Sequence, residues 1–145
     1  MRDLWAMASS KNLTVSQLIQ NYPENSGFLI AYSGGADSSA LLHLFSKSQQ
    51  LKGKVRAIHI NHDLNPKANS WQQHCQQSCD DLGIPLVSFK VRLKDKSENS
   101  CRVARYDCFK KELKKDEILV TAHHSQDQAE TVLMKLVRGS GIKGL

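Results

Sequence analysis

Between residues 28 and 45 the chain reads FLIAYSGGADSSALLHLF: a short apolar run, two adjacent glycines, then a run opening on Asp37. No other stretch limits the fold as much. Phe28 to Tyr32 is too short and too apolar for a surface helix, and it stops at Ser-Gly-Gly, so it predicts a buried strand. Residues 37 to 48 then place Leu41, Leu44 and Phe45 at helical spacing. A strand that passes at once into a helix is the repeating unit of a parallel α/β sheet. The junction also suits an anion. Gly34 and Gly35 remove side chains where a phosphate would come close, and the amides and dipole of the helix start supply positive potential. Ser33 and Ser38 add hydroxyls. Taken alone, Ser-Gly-Gly is more often a tight strand-to-helix turn with Asp37 or Ser38 as helix cap. Neither GxGxxG nor GxxxxGK followed by Ser or Thr is present, which disfavours dinucleotide binding and Walker-type hydrolysis.

The alternation continues along the chain. VRAIHI (55–60) predicts a second strand, and a helix over about 68 to 82 ends at Gly83, a natural stop. Pro85 leads into a third strand over 86 to 91. After the polar loop LKDKSENS comes a helix over about 100 to 115, and EILVT (117–121) gives a fourth strand. Ala129, Val132, Leu133, Leu136 and Val137 then recur at the spacing of an amphipathic helix. Four strand–helix alternations predict a Rossmann-like parallel sheet with helices on both faces. Residues 1–25 form a leading segment with a short helix around Val15 to Asn21, and residues 26–145 the domain itself. The final GSGIKGL has a loop composition rather than that of a finished element, so the domain is expected to be part of something longer.

The chain of 145 residues, 40% hydrophobic, suffices for one core and not two. No apolar stretch reaches membrane-span length, and the N-terminus lacks a secretory segment, so the expected setting is cytoplasmic with no membrane partner. Net charge is +6, consistent with a polyanionic partner. Lys110, Lys111, Lys114 and Lys115 read as a solvated helix face, whereas Arg138 and Lys143 flank a glycine-rich segment open to a ligand. Cys75 and Cys79 share a core-facing stripe with Ala68, Trp71 and Leu82. Cys101 and Cys108 read as core, and no Cys–His spacing matches a zinc pattern.

The string Ser33-Gly34-Gly35-Ala36-Asp37-Ser38 resembles the SGGxDS signature of PP-loop ATP pyrophosphatases, which cleave ATP between the α- and β-phosphates. HINHDLNPKANSWQQHC (59–75), SENSCRVARYDCF (97–109) and the segment 118–145 resemble tRNA(Ile)-lysidine synthetases, in order and at similar spacing. The resemblance runs from about residue 28 to the end. It implies an adenine nucleotide alpha-hydrolase-like fold, with ATP and Mg²⁺ as cofactors and free lysine and isoleucine tRNA as partners. Ser33, Gly34, Gly35, Ala36, Asp37, Ser38, Asn61 and His62 would hold ATP, and Asp37 would also hold Mg²⁺. Asp37, Arg102 and Asp127 would serve catalysis, Asp127 and Glu130 would bind lysine, and Arg105, Arg138 and Lys143 would contact tRNA or phosphate. The residues agree on their own terms. Asp127 and Glu130 fall three apart, off the apolar stripe, as an ammonium site requires, although acids at a helix start also favour its dipole. Arg102 and Arg105, beside apolar positions, call for an anionic partner or a salt bridge to Glu98.

Two positions depart from the family pattern. Gln126 stands where an aspartate is usual, and Asp63 where glycine usually serves a backbone conformation. The alternatives are a tRNA 2-thiolation enzyme of the same superfamily and an ATP-binding module without catalysis.

Overall fold

A computed structural model describes the backbone at residues 15, 20, 22–125 and 128–138, and side chains through residue 122. Five strands form one sheet: β1 (Gly27–Ala31), β2 (Val55–Asn61), β3 (Leu86–Lys90), β4 (Glu117–Ser125) and β5 (Gln128–Arg138). Three helices connect them: α1 (Ala36–Ser46), α2 (Ala68–Leu82) and α3 (Glu98–Glu112). The strand order is β3-β2-β1-β4-β5, with β1 to β4 mutually parallel.

The chain therefore leaves β1 in one direction for β2 and β3, then returns to the other side of β1 as β4. Such a reversal opens a crevice beyond the carboxyl ends of the two central strands. Alternation along each strand divides the core in two. Phe28, Ile30, Tyr32, Ala57, Ile118 and Val120 face α1 and α2, packing on Leu41, Phe45, Cys75 and Cys79. Leu29, Ile58 and Leu119 face α3 and its buried Phe109. Helices thus cover both faces, as the sequence predicts. Within α1, Leu42 is buried while Leu44 turns outward.

Helix ends follow local chemistry. Gly83 closes α2 in the left-handed conformation (φ 69°), and Ser97 Oγ accepts from Ser100 N at the start of α3. This cap starts α3 at Glu98, two residues before the sequence expectation. Val15 is helical and buried in the core and Gln20 lies in a turn; residues 16–19 and 21 of the expected leading helix lie outside the described residues.

One expectation is overturned. The amphipathic helix over 129–137 is instead β5, paired antiparallel with β4 from Ile118↔Arg138 to Ser125↔Gln128, with an irregularity between His124 and Ser125. The sheet is therefore mixed, four parallel strands with an antiparallel edge. The positions that recur at helical spacing belong to a nearly continuous apolar run containing β-branched Thr131, Val132 and Val137, which a strand accepts equally. Pairing satisfies the exposed N–H and C=O groups along β4, a non-local gain invisible to periodicity.

Candidate nucleotide site

The loop after β1 is built from short polar contacts. Ser38 Oγ, in the first turn of α1, accepts from Ser33 N at 3.1 Å and lies 3.0 Å from Ser33 Oγ. Ser33 Oγ accepts from Gly35 N at 3.2 Å. Gly34 has φ +87°, and a Cβ there would stand 2.8 Å from Cys75 Sγ and 2.9 Å from two ring carbons of Trp71. Glycine is required twice over, for the backbone angle and for the close approach of α2. Gly34→Ala should lower stability by ~2 kcal/mol through strain and overpacking. A thermal unfolding midpoint equal to the parent's would contradict this geometry.

α1 starts beside this loop with Gly35 as its N-cap and no side-chain cap bond, and Asp37 sits in its first turn. The sequence alternative of Asp37 or Ser38 as N-cap is therefore not realised. Ser38 spends its hydroxyl on Ser33.

A cleft of about 1150 Å³ opens here. Its walls bring together Ser33, Gly35, Ala36, Asp37 and Ser38 from the β1–α1 junction, Asn61 and His62 from the end of β2, and Arg105 and Tyr106 from α3. Residues separated by some seventy positions in sequence thus meet at the switch point, and most of the expected nucleotide residues are among them. Arg102 is not on these walls. It is exposed, with its guanidinium 5.8 Å from the centre of the Tyr106 ring, and Arg105 stands at 5.9 Å from the same ring. The ion pairs among the described residues join Arg56, Lys90 and Arg92 to acids, so the salt-bridge alternative with Glu98 is not seen for Arg102 or Arg105. Asp127 and Lys143 lie outside the described residues. Glu130 and Arg138 belong to β5, but their side chains lie outside them as well.

Asn61 is buried and points to α2, donating to Asn69 Oδ1 at 3.1 Å and Gln72 Oε1 at 2.9 Å. Its own Oδ1 accepts from Asp63 N at 2.8 Å. Asp63 has φ +55°, the conformation for which glycine is suited, and it faces Lys90 and Arg92 at 3.6 and 3.3 Å. Arg92 is 80% exposed there, so this pair contributes little.

His59 Nδ1 lies 2.9 Å from Tyr32 O, and since a carbonyl only accepts, Nδ1 carries the proton. Burial pushes the His59 imidazole below its ordinary value, which the bond to Tyr32 only partly offsets. His62 is also pushed down, first by burial and then by Arg105 and His59. Its Nδ1 is buried without a hydrogen-bond partner. The ring lines the cleft, but Nδ1 itself is shut off from it, so a ligand reaches that nitrogen only if the imidazole turns.

Sequence reasoning missed one residue at this site. Trp71, expected on the core stripe of α2, is 46% exposed and donates from Nε1 to Ser33 O at 2.8 Å. Its neighbours Cys75 and Cys79 are fully buried, as expected. Periodicity places a residue on a helix face but does not say that a ring at the face's margin will reach a loop.

Comparison with known proteins agrees with this geometry. The PP-loop domain family matches residues 7–145. The tRNA(Ile)-lysidine synthase of Coxiella burnetii is 49% identical over 134 residues, covering 89% of this chain and 30% of the relative. That of Actinobacillus succinogenes is 52% identical over 126 residues, 84% of this chain and 30% of the relative. That of Haemophilus influenzae is 52% identical over 127 residues, 82% and 29% respectively. The chain thus spans about 30% of the length of the curated relatives it matches. Among the described residues, no helix is long and apolar enough to cross a membrane.

Proposed function

Because the chain belongs to the PP-loop domain family, we propose that it binds ATP and supports ligation of lysine to C2 of the wobble cytidine of isoleucine tRNA. The observation that carries this reading is the loop 33–38 at the sheet's switch point, facing the same cleft as His62 and Arg105. The relatives' shared name supplies the substrate.

In the proposed reaction the cytidine O2 attacks the α-phosphorus of ATP, and the bond to the β-phosphate breaks to release pyrophosphate. The ε-amine of lysine, having lost a proton, then attacks C2, and AMP leaves with O2. The loop amides and the hydroxyl of Ser33, which Ser38 holds in place, bind the departing pyrophosphate, which explains a phosphate site without a Walker lysine. Arg105 stabilises charge from the α3 side of the cleft, and the His62 ring borders the nucleotide at the end of β2. Arg102, one turn earlier on α3, acts in catalysis only if the tRNA reaches the outer face of that helix. Asp127 and Glu130 receive the ammonium groups of lysine, and Arg138 and Lys143 meet tRNA phosphates.

Mg²⁺ suits the donors present. No cluster of three metal-binding side chains occurs among the described residues, but Mg²⁺ in phosphate sites commonly takes one or two carboxylates and completes its shell with phosphate oxygens and water. Asp37, in the first turn of α1, is that carboxylate. The ion would neutralise charge developing on the phosphates.

Sulfur transfer fits less well. Burial pushes the Cys75 thiol up to about 11 and Cys79 up to about 12, and raises Cys108 too, so these three stay protonated and poorly nucleophilic. Pyrophosphate release by the intact protein is expected to require both lysine and isoleucine tRNA and to add the mass of a lysyl residue to the tRNA. Release that instead needs a sulfur donor, or ATP binding with no release at all, would refute the reading.

A further inference from the structure

We infer that Trp71 is a positioning residue for the phosphate loop, its indole N–H fixing the peptide plane that aims the loop's amides. The inference rests on reading residues 33–38 as the phosphate site.

Burial does not explain where Trp71 sits, since nearly half of it is exposed while its helix neighbours Cys75 and Cys79 are completely buried. Its contacts do. Nε1 donates to Ser33 O at 2.8 Å, and Cys75 Sγ lies 3.9 Å from the same oxygen. The ring edge (Cε2 and Cζ2) rests where a side chain on Gly34 would be. His74 stacks on the indole, with centroids 5.1 Å apart and planes 29° apart, which holds the ring's orientation.

The consequence is directional. In a trans peptide the carbonyl of one residue and the N–H of the next point in opposite directions. Anchoring Ser33 O to α2 therefore turns the Gly34 N–H away from α2. Ser38 Oγ holds the preceding amide, accepting from Ser33 N at 3.1 Å. One peptide unit is held by α1 and the next by α2. Without the indole bond the Ser33–Gly34 peptide is free to rotate, because Gly34 lacks the Cβ that would otherwise restrict it. A ligand would then have to order that peptide itself, and preformed geometry is what makes such loops bind tightly.

Trp71→Phe in the intact protein tests this, because it keeps an aromatic ring at this position and deletes the donor, and the unfolding midpoint reads any cost of the lost ring area. The dissociation constants of Mg-ATP and of inorganic pyrophosphate should each rise roughly three- to tenfold. Adenosine, which lacks phosphates, should bind as before, and the unfolding midpoint should stay within about 2 °C. A Phe variant that binds pyrophosphate like the parent would overturn the inference, as would an equal loss for adenosine. A second measurement avoids altering the site. The chain has two tryptophans, so Trp5→Phe leaves Trp71 alone. Its emission should shift as pyrophosphate is added and saturate at the same dissociation constant; no shift would overturn the inference. A parent protein that binds neither Mg-ATP nor pyrophosphate would instead refute the phosphate-site reading itself, a result distinct from a parent that binds and a variant that equals it.

Discussion

Replacing Asp37 by alanine is expected to slow pyrophosphate release by about a hundredfold or more while the fold survives. The carboxylate stands in the first turn of α1, beside the loop proposed to hold the departing phosphates, and it lines the cleft. In the proposed reaction charge would build on the bridging oxygen as the bond to the β-phosphate breaks, and Asp37 would hold a cation that neutralises it. The structural cost is small by comparison. An acid in a helix's first turn contributes roughly 0.3–1 kcal/mol through the dipole. Asp37→Asn keeps the size of the side chain but withdraws the charge, so a loss equal to alanine's assigns the effect to charge and not to shape. Both variants should unfold close to the parent's temperature and both should fail in pyrophosphate release. A folded alanine variant with near-normal turnover would remove Asp37 from the reaction.

The β1–α1 junction was legible in sequence because its causes are local: an apolar run of strand length, glycines where a side chain cannot stand, and a helix directly after. The same holds for Gly83, whose φ of 69° is the reason a glycine closes α2. Asp63 was legible indirectly, since an expected glycine position turned out to have φ +55°. What stayed hidden was non-local. The segment 129–137 has helical periodicity and strand composition together, and the edge of β4 decides between them. Trp71 satisfies the core stripe as a letter, yet its indole bonds a loop 38 residues earlier. His62 was expected beside the nucleotide, but its partnerless Nδ1 emerges only from the packing around it.

The most hidden interaction sits at the opposite end of the sheet from the cleft, and its loss should be the largest change in stability. Arg56 on β2 reaches past β1 to Glu117 at the start of β4, with Nε–Oε2 at 2.6 Å and Nη2–Oε1 at 2.7 Å. It also donates to Glu112 at the end of α3, at 2.5 Å to the carboxylate and 2.8 Å to the main-chain oxygen. One guanidinium therefore ties two strands to a helix C-terminus, where a cation is favoured. Removing one partner of a buried pair typically costs about 3–5 kcal/mol. Here the side chains of Arg56 and Glu117 are 17% and 6% exposed, so some solvent screening remains. Arg56→Met should accordingly cost about 2–4 kcal/mol, leaving Glu117 buried without its countercharge.

The dependence on pH gives a sharper test. Burial pushes the Glu117 carboxyl up, but the bonds from Arg56 and Lys114 outweigh it and hold it below the ordinary value of 4.5. A depressed carboxyl contributes stability above its unfolded value and loses it as pH falls through the folded value. Without Arg56, burial is opposed only by the bond and charge of Lys114, and the folded value moves up. The variant's penalty then appears as pH rises through that raised value and is relieved in acid. The stability gap between parent and variant, measured by denaturant unfolding, should be full near pH ~7 and shrink toward pH ~4. A gap that does not change with pH would mean that packing of the Arg56 stem, and not the charge on Glu117, holds this end of the sheet together.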